Sequence, residues 1–208
     1  MIKKHFSLGT IILAAGASVR LGSPKQLARL EGETLLNRTI ELASQLPESQ
    51  TVVVLGAHQE LIRPSIRYQQ LTFIDNPAWV QGMGSSIVHG AAYYYEHYPD
   101  TEYLLFLLCD QIYVSVELLN EMRDTAIRTN APVIACSYAN SLGVPAMFHR
   151  SLFRDLLKLP YAAGAKKLIM QYLNDCVAVP FPQGKIDIDT TEEALRRGVE
   201  LFKNKAEK

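Results

Sequence analysis

Thr10-Ile11-Ile12-Leu13-Ala14-Ala15-Gly16-Ala17-Ser18-Val19-Arg20-Leu21-Gly22-Ser23-Pro24-Lys25 is the stretch on which the fold turns. It opens on a run without alternation, Thr10–Ala14, passes through small residues, and ends on two cations, Arg20 and Lys25. A continuous apolar run is a strand buried on both faces, as in parallel sheets covered by helices. Similar runs recur at Thr51–Leu55, Leu71–Ile74, Tyr103–Cys109 and Pro132–Cys136. Between them lie helical stripes: Leu36, Ile40, Ala43, Leu46; Ile87, Ala91, Tyr95; Leu118 or Leu119, Met122, Ala126; and Leu195, Val199, Phe202. Ser115 and Thr191 stand where helix starts are expected, just ahead of Glu117 and of Glu192-Glu193. Strands alternating with helices predict a doubly wound α/β domain. Its sheet is expected to be mostly parallel, with helices on both faces. No linker, repeat or low-complexity stretch divides the 208 residues, so one domain over 1–208 is expected, with a fraying tail at Lys203–Lys208.

Composition excludes several classes. Hydrophobic residues make up 48% and charged residues 20%, which is ordinary globular usage. No apolar run approaches the ~20 residues that span a bilayer. Lys plus Arg (21) balances Asp plus Glu (21), so no global charge draws nucleic acid or an anionic membrane. Any bound anion needs a local site. Cys109, Cys136 and Cys176 are odd in number, widely spaced and set in or beside apolar runs. They read as buried, reduced thiols in a reducing compartment, which places the chain in the cytoplasm. Lys3, Lys4 and His5 ahead of Phe6 to Ala17 resemble a short secretory signal, with Ala15-Gly16-Ala17 as its cleavage site. A first strand is the preferred reading, because cleavage would remove the most informative stretch of the chain.

Ligands of such sheets bind beyond the carboxyl ends of the strands, so chemistry is sought just after each apolar run. After the first strand, small residues admit close approach of a ligand, and their N–H groups can form an anion nest. Arg20 and Lys25 add positive charge suited to a triphosphate. The loop is no P-loop, since no Gly-Lys-Ser/Thr closes it, and no dinucleotide fingerprint, since Gly9 and Gly16 are seven apart. The plain alternative is a strand-to-helix loop with two solvated cations. Asp110 ends a very apolar strand, where an acid is costly unless solvated or bound to a cation. It reads as a Mg²⁺ ligand or as a cap. Asp187 and Asp189 flank one isoleucine and would share a side on a strand, one facing a metal and the other capping the next helix. Gly82 to Ser86 reads as a helix start able to hold ribose or phosphate, or as a plain cap. His58, His89 and His97 lie in expected helices without ligand spacing. The role of Trp79 stays open.

The loop pattern L-A-A-G-x-S-x-R-x-G-x-x-K resembles the signature of nucleotidyltransferases of the molybdenum-cofactor type, the cytidylyltransferases in particular. Guanylyltransferase relatives read L-A-G-G, whereas this chain has Leu13-Ala14-Ala15-Gly16, which tilts toward cytosine. Asn76-Pro77 with Gly82-Met83-Gly84-Ser85-Ser86-Ile87, Asp110-Gln111, Gly143-Val144-Pro145, Gly164-Ala165-Lys166 and Asp187-Ile188-Asp189-Thr190 resemble further family blocks, in the family's order. The resemblance implies transfer of CMP from CTP to a phosphorylated acceptor of the molybdopterin type, with Mg²⁺ and loss of pyrophosphate. It implies catalytic roles for Lys25, Arg20 and Asp110. It implies nucleotide contacts from Leu13, Ala14, Ala15, Gly16, Ser18, Lys25, Asn76, Gly82 and Ser86, and metal ligation by Asp110, Asp187 and Asp189. A partner molybdoenzyme or a homo-oligomer is expected, and no nucleic acid or membrane. Two blocks depart: Ile112 replaces a proline, and Tyr161 and Ala162 replace a glycine and an acid on the acceptor side. The competing functions are a nicotinamide-dependent oxidoreductase on the same scaffold and a nucleotide-binding protein without turnover.

Overall fold

The computed structural model describes residues 6–47, 49–68 and 71–203. Lys3, Lys4, His5 and the tail beyond residue 203 lie outside the described residues. The strands are β1 (Leu8–Leu13), β2 (Arg29–Leu30), β3 (Glu33–Thr34), β4 (Ser49–Leu55), β5 (Thr72–Asp75), β6 (Tyr103–Leu108), β7 (Val133–Tyr138), β8 (Ser141–His149) and β9 (Cys176–Pro180). The helices are α1 (Leu35–Ser44), α2 (Gln59–Ile62), α3 (Met83–His97), α4 (Val116–Thr129), α5 (Phe153–Leu157), α6 (Ala165–Gln171) and α7 (Thr191–Arg196).

Seven strands form one sheet in the order β5-β4-β1-β6-β8-β7-β9, and β2 with β3 makes a separate short hairpin. β1 runs parallel to both β4 and β6, with Leu13 level with Val54 and Leu108. Three of the five apolar runs, Thr10–Ala14, Thr51–Leu55 and Tyr103–Cys109, therefore supply adjacent central strands. β8 is antiparallel to β6 and β7, while β9 runs parallel to β7. The sheet is thus mostly parallel with one reversed strand.

Alternation along the strands divides the core in two. Leu8, Ile12, Val53, Leu55, Leu105 and Leu107 face Leu36 and Ile40 of α1 and Leu119 and Met122 of α4. Ile11, Leu13, Val52, Val54, Leu104 and Phe106 face α3, α5 and α6. Both sheet faces are dry, which explains why these strands read as unbroken apolar runs.

Three local expectations are corrected. The stripe on α3 turns on Tyr94, which is fully buried, and not on Tyr95, which is 47% exposed. A Cβ on Gly9 would stand 2.5 Å from Tyr94 Cε1, so Gly9 leaves room for that ring. Leu195, Val199 and Phe202 do not share a helix. α7 ends at Arg196, where Gly198 takes φ +68°, Gly198 N donates to Leu195 O and Val199 N donates to Ala194 O. That is a Schellman stop. It leaves Leu195 exposed and Ala194 and Val199 buried. The α7 cap is Thr190 rather than Thr191, its hydroxyl accepting from Glu193 N at 3.2 Å. Ser115 caps α4 as expected, accepting from Leu118 N.

Candidate active site

The chain leaves β1 at Leu13 and β6 at Leu108, side by side. The loop after β1 therefore lies beside Asp110. Ser18 takes the left-handed region (φ +55°), and its hydroxyl accepts from Lys25 N at 3.1 Å. That bond closes the loop and sets Lys25 over the strand ends. Among the described residues, the amides of Gly16, Ala17 and Ser18 have no acceptor in the protein. A Cβ on Gly16 would meet nothing within 4 Å. The protein's own packing does not require this glycine, and the space beside it is open to a ligand.

A cleft of about 340 Å³ opens here, walled by Gly16, Ala17, Lys25, Gln26, Trp79 and Asp110 among others. Leu13, Ala15, Gly82 and Ser86 line it as well. Ala14, Ser18 and Asn76 do not. Asn76 is buried and works one layer below: its Nδ2 donates to Ser85 Oγ and Ser86 Oγ, and its Oδ1 accepts from Ala78 N. Asn76 thereby fixes the first turn of α3. Trp79 forms one wall, and Gly56 has no side chain because a Cβ would stand 2.7 Å from that of Trp79.

The charged groups form one chain. Lys25 Nζ donates to Asp110 Oδ2 at 2.6 Å and to Asp189 Oδ1 at 2.5 Å, and Arg20 donates to Asp189 Oδ2 at 2.6 Å. Burial works against the ammonium, but the Asp110 charge and the two hydrogen bonds overcome it and raise Lys25 above its ordinary value. Burial likewise works against the Asp189 carboxylate, yet the bonds and charges of Lys25 and Arg20 hold it below the usual range. Among the described residues, Asp187 has no such partner. Partial burial, then the charges of Asp110 and Asp189, push it up to about 6.

Residues 186–189 form no strand, so the expected common face of Asp187 and Asp189 is absent. Ile188 N donates to Asp110 O, and Ile188 is buried. Asp189 is turned to Lys25, while Asp187 lines a second cleft of about 440 Å³ that also holds Gln111, Tyr138, Lys166 and Lys185. Met83 and Leu108 border both clefts. Neither aspartate caps α7; Thr190 does. No group of three or more His, Cys, Asp or Glu is placed to hold a metal ion among the described residues. Asp110 Oδ1, however, is buried and has no hydrogen-bond partner among the described residues.

The Tyr161-Ala162 segment lies on the start of α3. A Cβ on Gly82 would meet Tyr161 O at 2.7 Å, and one on Gly84 would meet Pro160 O at 2.2 Å. These glycines serve that close approach. Cys109 and Cys136 are buried and Cys176 is half-buried, so the expectation of three buried thiols holds for two. Burial, then the Asp110 charge, pushes the Cys109 thiol up to about 12, which leaves it a poor nucleophile. His58 precedes α2 rather than lying in it, and His97 stacks on Tyr93. Gln26, buried in the cleft wall, was not singled out by motif; its only signal was its place next to Lys25.

A switch-point cleft with an amide-lined loop, an ammonium facing it and an acid at the neighbouring strand end defines a nucleotide-handling α/β enzyme. Residues 10–176 match the MobA-like NTP transferase domain, and the chain belongs to that family. It is a nucleotidyltransferase. A homologue of Mycobacterium tuberculosis Rv0371c from Mycobacterium sp. strain JC1 is similar over 91% of this chain and 93% of its own, with 27% identity and a TM-score of 0.76. Rv0371c of M. tuberculosis, in a complex with manganese, is 24% identical over 92% and 97% of the two chains, with a TM-score of 0.73. Molybdopterin-guanine dinucleotide biosynthesis protein A from Archaeoglobus fulgidus is 18% identical over 91% and 96%, with a TM-score of 0.64. The latter two likenesses are of fold. No helix among the described residues is long and apolar enough to cross a membrane.

Proposed function

We propose that the protein transfers CMP from CTP to the phosphate of a molybdopterin-type acceptor and releases pyrophosphate. The observation that carries this reading is the Lys25 ammonium, held between Asp110 and Asp189 at the mouth of the amide-lined cleft. The triphosphate lies along the loop from Leu13 to Ser18, with Lys25 and Arg20 exchanging their carboxylates for phosphate oxygens. Gly82 and Ser86 border the nucleoside end, and Asn76 supports them from below. An oxygen of the acceptor's phosphate attacks the α-phosphorus in line as the bond to the pyrophosphate oxygen breaks. That phosphate is already an anion near neutral pH, so no general base is required. Catalysis is then positioning and neutralisation of charge.

Mg²⁺ suits this site. It takes one or two protein carboxylates and fills its other positions with phosphate and water. Asp110, with its unpartnered Oδ1, and Asp189 or Asp187 would hold it. When bound, it would neutralise phosphate charge and align the reacting groups. The second cleft, with Lys166 and Lys185 beside Tyr138 and Gln111, is the acceptor side. Tyr161 and Ala162, where the acceptor-side block departs, pack on the start of α3 and are not among the residues that line this cleft.

Thermal shifts with CTP, GTP, ATP, UTP and NADPH, with and without Mg²⁺, test the donor, and pyrophosphate release with molybdenum cofactor tests the transfer. CTP with Mg²⁺ should stabilise most; a ligand at ~100 times its Kd adds roughly 2.7 kcal/mol. A larger response to GTP would reverse the base assignment. A response to NADPH alone would favour the oxidoreductase reading.

A further inference from the structure

The loop that faces the cleft is shaped by a residue outside the motif. Gln26 is 1% exposed. Its Nε2 donates to Ala14 O at 2.8 Å and to Gly16 O at 2.9 Å. Between them, Ala15 O accepts from Ala57 N at 2.9 Å. Three successive carbonyls are thus bound by donors of the protein itself. In a planar trans peptide the C=O and the next N–H point in opposite directions. A carbonyl tied to Gln26 therefore turns the following amide away from Gln26. The amides so turned belong to Ala15 and Ala17, and both residues line the cleft. Among the described residues, Gln26 Oε1 is buried without a hydrogen-bond partner. Flipping the amide would set that oxygen against two carbonyl oxygens, so the orientation of the side chain is settled by its partners. The far end of the loop is closed by Ser18 on Lys25, the residue next to Gln26.

We infer that Gln26 is a positioning residue for the nucleotide's phosphates. It holds the carbonyls of Ala14 and Gly16 so that the amides of Ala15 and Ala17 are presented to the cleft, and it links that array to the Lys25 ammonium. It acts through the loop and does not touch the reacting atoms. The inference rests on a nucleotide occupying this cleft, and it is independent of which base is bound.

Gln26→Met keeps the length of the side chain and removes both donors. Gln26→Glu keeps the shape, sets an ionised carboxylate against the two carbonyls, and regains one donor when protonated. Three readouts apply to the full chain: the Kd of whichever of CTP, GTP, ATP and UTP stabilises the wild type most, from pH 5 to 8; the Tm; and amide hydrogen exchange over residues 14–18. Gln26→Met should raise Kd about tenfold at every pH, the loss expected for one or two net hydrogen bonds. Exchange should quicken in residues 14–18 of the free protein. Gln26→Glu should bind at least as poorly at pH 8 and recover toward pH 5, because burial raises its carboxyl pKa into that range. A residue that merely fills space would lower Tm without creating that pH dependence. Wild-type affinity and pH profile in both variants would overturn the inference. So would a lower Tm with unchanged affinity of the folded protein. If the wild type binds none of the four nucleotides, the nucleotide reading of the cleft is itself wrong and this inference goes with it.

Discussion

Replacing Lys25 by Met keeps most of the apolar stem and removes only the ammonium. The consequence follows from the exposures: the Lys25 side chain is 17% exposed, Asp110 11% and Asp189 32%. Taking one partner from a mostly buried pair costs about 3–5 kcal/mol. Asp189 keeps Arg20, and the variant no longer desolvates an ammonium, so the net cost is put at about 2–3 kcal/mol near pH 8. For a chain of this size that is a fall in Tm of roughly 4–12 °C. The pH dependence has a definite sign. The raised Lys25 value contributes stability that is fully present below its unfolded value near 10.5 and is lost as pH climbs through the higher folded value. The depressed Asp189 value contributes stability present above its unfolded value near 3.8 and lost as pH falls through the lower folded one. The difference between wild type and variant should therefore be largest around pH 6–9 and shrink toward pH 3. Scanning calorimetry at pH 8, 5 and 3 measures it, and calorimetric titration with nucleotide should show affinity reduced about a hundredfold, of the order of one charge contact in a shielded site. A Tm loss that is the same at pH 8 and pH 3 would refute the electrostatic account. Unchanged nucleotide affinity would remove Lys25 from the site.

Further outcomes follow from the same geometry. Asp110→Asn should cut turnover at least about a hundredfold, with partial recovery at high Mg²⁺ or with Mn²⁺; near-normal transfer at ordinary Mg²⁺ would leave Asp110 as a strand-end group only. Asp187→Asn should raise Tm above pH 6 and have little effect at pH 4. Its acid form is favoured in the fold, so stability is lost as pH rises through about 6, by about 1 kcal/mol once solvent screening at this exposed edge is allowed for. Equal Tm changes at both pH values would show that neither its burial nor the neighbouring charges of Asp110 and Asp189 favour the acid form in the fold. Gly84→Ala should destabilise by about 2 kcal/mol or displace the 160–163 segment, because its Cβ would meet Pro160 O. Gly16→Ala should leave Tm unchanged and weaken nucleotide binding, since its Cβ enters open space that only a ligand fills; a fall in Tm without a change in affinity would contradict this.

Much of this was legible in one dimension for a physical reason. A strand dry on both faces must be apolar at every position, so β1, β4 and β6 declare themselves without alternation. The two cations after β1 and the acid after β6 stand at strand ends, where local order along the chain already implies a shared edge. Helix starts at Ser115 and Gly82 are equally local. What depended on tertiary contacts was not legible. Periodicity admits Tyr94 and Tyr95 alike; only the gap above Gly9 selects Tyr94. Leu195, Val199 and Phe202 keep a helical spacing, but the turn at Gly198 and the bridge between Arg29 and Glu200 override it. Asp187 and Asp189 look equivalent across one isoleucine. The fold separates them because Ile188 is drawn into the core and Lys25 reaches only Asp189. Asn76 and Gln26 show the same limit from the other side. Asn76 stands in a motif block and Gln26 just beyond one, yet each acts through backbone or hydroxyl partners that come together only when the chain is folded. Sequence determines which residues are apolar, charged or small at each strand end; long-range packing decides which charge meets which.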